Sequence, residues 1–108
     1  MEPLIMITEP YLKFSKDIKQ VFLDANAGNY KAQNYLGSMY ANGIGVKKNY
    51  QYAADWYQKS SDQGYADASR RLGYLYKDGI GIQRDYVKAR ILFEKSLKKD
   101  PNNVNAQI

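Results

Sequence analysis

Apolar and polar positions along this chain alternate with a spacing of three to four residues, and the pattern restarts. Phe14, Ile18, Val21, Phe22 and Ala25 form one apolar stripe, which predicts an amphipathic helix over residues 13–27. Gly28 stops it, as glycine commonly does just past a helix C-terminus. Ala32, Leu36, Met39 and Tyr40 mark the apolar face of a second helix, ended by Asn42-Gly43. Asn49 is placed to cap a third. Its buried face reads Tyr50, Ala53, Trp56, Tyr57 and Ser60, and Gly64 ends it. The same order then returns: Ala68, Leu72, Gly73 and Tyr76, a glycine corner, Asp85 as cap, then Tyr86, Ala89, Phe93 and Ser96.

The return is a true internal repeat. Y-A-N-G-I-G-V-K-K-N-Y over 40–50 comes back 36 residues later as Y-K-D-G-I-G-I-Q-R-D-Y over 76–86. Residues 28–63 and 64–99 share 12 identities in 36, all but Lys59 and Lys95 being small, aromatic, aliphatic or serine. Packing residues are kept while the surface drifts, which is what a stack of identical units requires. Gly37 and Gly73 lie inside helices, where glycine costs about 1 kcal/mol against alanine; close approach of a neighbouring helix backbone is the expected reason. Gly43, Gly45, Gly79 and Gly81 turn the corners, with Ile44 and Val46 pointing back into the core. The organisation expected is an N-terminal arm over 1–12, a capping helix over 13–27, repeats at 28–63 and 64–99, and a tail at 100–108. Val104 to Ile108 would be the stub of a further helix, with Ala106 near the position of Ala32 and Ala68.

The pattern A-x-x-x-L-G-x-x-Y-x-x-G-x-G-[VI]-x-x-[DN]-Y-x-x-A-x-x-x-[YF]-x-K-S resembles the Sel-one-like repeat, a relative of the tetratricopeptide repeat. Ala32, Leu36, Gly37, Tyr40, Gly43, Gly45, Val46, Asn49, Tyr50, Ala53, Trp56, Tyr57 and Lys59 carry it, with their equivalents 36 residues on, among them Leu72, Gly73, Tyr76, Gly79, Gly81 and Tyr86. Asn49 stands where the family usually has aspartate, Leu92 where Trp56 sits, and Ser60 and Ser96 where alanine is usual. Leu92 suggests a different neighbour for the last helix. The resemblance implies an all-α fold, a right-handed α-solenoid of antiparallel helix pairs, about two and a half repeats long. It implies a non-catalytic interaction module, an adaptor or scaffold holding a protein or peptide in a concave groove. Some bacterial members are immunity proteins that neutralise secreted toxins, which is the alternative it leaves open.

Composition narrows the chemistry. The chain has no histidine and no cysteine, so the commonest general base, the commonest metal ligand and all thiolate chemistry are absent. G-I-G follows a helix and lacks the G-K-[ST] ending of a phosphate loop. Asp55, Asp62, Asp67, Asp78, Asp85 and Glu94 read as caps or surface, and Trp56 as core. No catalytic residue, metal site or cofactor is expected. The net charge is +5, and residues 64–99 hold nine of the basic residues against four acids. That could attract an acidic protein, nucleic acid or an anionic surface. Acids interleave with the bases and no nucleic-acid module is visible, so nucleic acid is the lesser reading. No stretch is long and apolar enough to span a membrane. Without a visible signal peptide the chain reads as cytoplasmic; a periplasmic chain trimmed of its leader would read the same.

In the related tetratricopeptide repeats the first helix of each pair lines the groove. With Leu36, Gly37 and Tyr40 turned inward, Lys31, Asn34, Ser38 and Ala41 share another stripe, and Asp67, Arg70, Tyr74 and Lys77 follow 36 residues on. Asn34, Ser38, Arg70, Tyr74 and Lys77 are the candidate partner contacts, since arginine and tyrosine are enriched in binding hot spots. An acidic or carboxylate-terminated peptide is the expected ligand. Ile91, Leu92 and Leu97 on the last helix mark the C-terminal edge as a contact surface, within the chain or in a homodimer; the apolar arm Leu4 to Ile7 is the other candidate for self-association.

Overall fold

The computed structural model describes residues 18–99, Lys99 in its backbone only. The arm at 1–12, the first residues of the capping helix and the tail at 100–108 lie outside them. Five helices follow one another: α1 over residues 18–26, α2 Tyr30–Asn42, α3 Tyr50–Asp62, α4 Ala66–Asp78 and α5 Tyr86–Lys99. Their starts are fixed locally. Asn29 and Asn49 accept the backbone N–H of Ala32 (2.9 Å) and Tyr52 (3.0 Å), and Asp85 accepts that of Lys88 (3.0 Å). Each side-chain oxygen satisfies a donor that the first helical turn leaves free.

The two corners are built alike. Gly43 and Gly79 take left-handed φ values of 67° and 65°, and the following N–H groups of Ile44 and Ile80 return to Met39 and Leu75 carbonyls. Asn49 N–H then bonds Tyr40 C=O and Asp85 N–H bonds Tyr76 C=O, both at 2.9 Å. The Ile44, Asn49, Ile80 and Asp85 amides are therefore spent on the preceding helix ends.

Short connections fold consecutive helices back on one another. Packing runs in chain order: α2 on α3, α3 on α4, α4 on α5. This is an all-α helical repeat solenoid, as the pattern predicted. Ala25, Leu36 and Met39 form the core between α1 and the first pair, and Val21, Phe22, Val46 and Trp56 pack around them. A second core joins the repeats: Ala53, Ala54 and Tyr57 from α3 meet Leu72, Leu75 and Leu92 from α4 and α5.

Four expectations change. The helix glycines admit a ring rather than a helix backbone: a Cβ on Gly37 would lie 2.6 Å from the Tyr57 ring, and one on Gly73 2.8 Å from Phe93. Ile44 is exposed, whereas Ile80 and Ile82 pack on the core between the repeats. Leu92 does not belong to the outer edge. It falls one turn from Ala89 and Ser96 on the buried stripe, while Ile91 and Leu97 are exposed. Tyr86 is 63% exposed although Tyr50, its equivalent, packs on the core. The cause is position in the stack: the Gly81 corner closes over Tyr50, whereas among the described residues no further corner closes over Tyr86, only the Arg84 guanidinium 5.7 Å from its ring.

Candidate partner-binding face

The first helices of the two pairs, α2 and α4, are joined by a polar link. Asn34 on α2 is 8% exposed, and its amide donates to Asp67 Oδ2 on α4 at 2.8 Å. Asp67 also accepts from Arg70 through Oδ1 and from Arg71 Nε at 2.9 Å. One carboxylate thus holds an amide from the neighbouring repeat and two guanidiniums from its own helix. Asn34 Oδ1 is buried without a hydrogen-bond partner among the described residues. Beside it, Ser38 Oγ and Tyr57 OH share a 3.0 Å hydrogen bond, tying α2 to α3.

The sequence-derived contact set divides accordingly. Arg70, Tyr74 and Lys77 are exposed; Asn34 is buried, and Ser38 half-buried, in the support behind them. Tyr74 stands edge-on to Phe93 with ring centroids 5.0 Å apart, under the ammonium of Lys77 at 5.7 Å. Lys77 also pairs with Asp78 at 3.3 Å. Two exposed residues were not in that set. Tyr35 is 50% exposed on α2, and Arg71 is its equivalent 36 residues on. α4 covers the flank of α2 that carries Asn34 and Ala41. The missed signal was in the sequence: Asp67 followed by Arg70 and Arg71 at three and four residues, the spacing of helical ion pairs.

Asp67 carries the electrostatics. Burial alone would raise its pKa. The hydrogen bonds from Arg71 and Asn34 and the charges of Arg71 and Arg70 outweigh that, and hold the carboxyl below its ordinary value. The hydrogen bond to Asp67 raises the Arg71 pKa in turn. Because the folded-state value lies below the unfolded one, Asp67 stabilises the fold at neutral pH. That contribution is lost as pH falls past about 3.9 and through the lowered folded value. Both arginines are nearly half exposed, so solvent screening limits the cost of Asp67→Asn to about 1 kcal/mol at pH 7. Urea midpoints of the two proteins should converge as pH falls below about 3.9 and on through the lowered folded value; a constant offset would show that the carboxylate's charge does not matter.

Among the described residues, no group of three His, Cys, Asp or Glu side chains could hold a metal ion, and no helix is long and apolar enough to cross a membrane. An open depression of about 510 Å³ lies between Gln51 on α3 and residues 82–85 of the second corner, with Tyr76 and Lys88 beside it. Asp85, on its rim, is already occupied in capping α5.

Stacked helix pairs with repeated glycine corners and a braced first-helix face define a helical-repeat protein of the interaction type. The Sel1 repeat model matches residues 31–65 and again 66–101. The chain belongs to the Sel1 repeat family, whose members generally mediate protein–protein interaction and typically serve as non-catalytic scaffolds. A putative sel1-like repeat-containing protein of Acanthamoeba polyphaga mimivirus is 49% identical over 45 residues, 42% of this chain and 8% of that protein. The DAP3-binding cell death enhancer 1 of Rattus norvegicus is 34% identical over 61 residues, 56% of this chain and 12% of that protein. Among solved structures, a Sel1 repeat protein from Oxalobacter formigenes superposes with a TM-score of 0.77 at 31% identity, over 94% of this chain and 39% of that one. A protective antigen of uropathogenic Escherichia coli with an SLR fold gives 0.78 at 28% identity, over 87% and 20%. The chain therefore spans between 8% and 39% of these relatives' length.

Proposed function

We propose that this chain is a non-catalytic binding module that holds an acidic segment of another protein against the first-helix face. The observation that carries the reading is the bracing of Arg70 and Arg71 by Asp67, itself tied to Asn34 across the repeat junction. A guanidinium has five N–H donors, so each arginine keeps donors for a partner carboxylate while Asp67 and the helix restrict its motion. Prior ordering of this kind lowers the entropic cost of binding. Tyr35 and Tyr74, about half exposed on either side, add the aromatic area that hot spots favour. With no histidine or cysteine in the sequence, the exposed groups of the face suit recognition rather than proton transfer or nucleophilic attack.

The test is photo-crosslinking in the source cell. A photoreactive residue at position 35 or 74 should capture a partner that the same residue at exposed positions 51 or 55 on α3 does not. Arg71→Ala combined with Tyr74→Ala should weaken that partner at least tenfold, or about 1.4 kcal/mol. Equal capture from α3, or unchanged affinity, would refute the reading.

A further inference from the structure

The internal repeat provides a control for its own outer edge. On the first pair, the positions that receive the second pair are small or neutral, and covered. Asn34 meets Asp67, Ala41 packs on the core between the repeats, Ala54 is buried, and Ser61 bonds Ser69 Oγ at 2.6 Å. Moving 36 residues on gives Arg70, Lys77, Arg90 and Leu97. All four are exposed, and so is Tyr86, one turn before Arg90, with the Arg84 guanidinium over its ring. Three of the four replacements add a positive charge. The fourth puts a leucine where close helix contact needs a serine. α5 as a whole carries five basic residues against one acid, Glu94.

We infer that this edge, formed by Arg70, Lys77, Tyr86, Arg90 and Leu97, is a second docking surface, one that takes an acidic amphipathic helix of a partner protein in the place a third repeat would occupy. The inference rests on the reading of the chain as an interaction module but uses a surface that shares only Arg70 with the braced face. A third repeat in the same register would press its first helix onto Arg90 and Leu97, where the α3–α4 junction has Ala54 and Ser61. A second copy of the chain would bring the same cations against their like, which disfavours a symmetric pair. A polar outer face is enough for solubility; Arg90 beside exposed Tyr86 and Leu97, with Arg70 and Lys77 held by Asp67 and Asp78 on α4, goes beyond that. The shape suits a helix, because the equivalent surface on α3 holds α4. The helix would place carboxylates over the three cations and an apolar stripe over Leu97 and Tyr86, the helix-on-groove mode of recognition. A bilayer fits less well: membrane-lying helices present a broad apolar face, whereas exposed Val87, Ile91 and Leu97 on α5 are interleaved with exposed Lys88, Arg90 and Glu94.

The experiment replaces the edge with its counterpart. Arg70→Asn, Lys77→Ala, Arg90→Ala and Leu97→Ser install the residues the first repeat carries, so the helices should be retained, as circular dichroism checks. The probe is a synthetic 20-residue helical peptide with glutamates flanking a leucine stripe, compared with its glutamine analogue. The wild-type chain should bind the acidic peptide at least tenfold more tightly than the analogue, more weakly as salt rises, and with NMR shifts centred on Arg90 and Leu97. The four-residue exchange should abolish this, while Tyr35→Ala with Arg71→Ala should leave it intact. Equal binding of both peptides, binding of neither, or survival through the exchange would overturn the inference. So would stronger binding to vesicles of 30% anionic lipid or to a single-stranded oligonucleotide, or a wild-type dimer that the exchange dissolves. Loss in the Tyr35–Arg71 variant alone would place the peptide on the first-helix face, and so would sink this inference without touching the proposed function.

Discussion

Replacing Leu72 by alanine should unfold most of the described chain, rather than loosen the second repeat alone. Leu72 is fully buried, in the cluster where α3, α4 and α5 meet. A buried leucine cut to alanine costs about 2–5 kcal/mol, more where the site cannot collapse. Collapse is hindered here. Tyr57 on one side is pinned through its hydroxyl to Ser38, and Gly73 is pressed by Phe93 on the other. A chain of this size is expected to have about 5–15 kcal/mol of total stability, so the loss is a large fraction. The junction makes it global: a repeat stack is held by nearest-neighbour contacts, and these residues are the α3–α4 contact. The expected reading is a urea midpoint lowered by about half, with a single transition. The equivalent Leu36→Ala, in the core between α1 and the first pair, should leave the second pair's unfolding less affected. Two transitions in the Leu72 variant, with α2 and α3 persisting, would show that the repeats are not coupled through this cluster.

The architecture was legible because the residues that make it are repeated. Gly43 and Gly79, Asn49 and Asp85, Leu36 and Leu72 occur at one interval, and a side chain kept twice while its neighbours change is there for packing. What one repeat did for the next was not legible. Periodicity fixes which stripe of a helix is apolar, but it does not say which flank the following unit covers. Asn34 and Arg70 hold equivalent positions, yet Asn34 is buried by α4 and Arg70 is exposed. Tyr50 and Tyr86 divide in the same way. The Asp67 link escaped a reading of single stripes because it joins α2 to α4, across 33 residues. The sequence did carry its helical half, in the spacing of Asp67, Arg70 and Arg71.

That asymmetry bears on function. Charge that looked like a diffuse property of the second repeat falls into two groups. Arg71 and Arg70 are held by Asp67 on the first-helix face, whereas Arg90 lies on the outer edge with exposed Leu97 and Tyr86 near it. Fixed charges favour specificity and charges at a rim favour encounter rate. The two surfaces should therefore differ in salt response, the edge being the more sensitive.

Gly81→Ala should be the most damaging change at a corner, at about 3 kcal/mol, the sum of left-handed strain of about 1–2 kcal/mol and overpacking of about 1–3 kcal/mol. Gly81 has φ 73°, and an added Cβ would run into the Cβ of Tyr50 at the start of α3. Rotation of the tyrosine ring cannot relieve this, since the clash is with the atom next to the backbone. The corner would have to lift, and with it the closure of the second repeat over the first. Gly43→Ala is the control. Its φ is 67°, but the nearest atom to an added Cβ is Lys48 Cβ at 3.3 Å, so it should cost mainly the strain. The difference between the two variants, read from urea midpoints, measures how tightly the second corner seats on α3. Equal losses would mean that Gly81 is kept only for its backbone angle, and that the corner does not clamp the two repeats together.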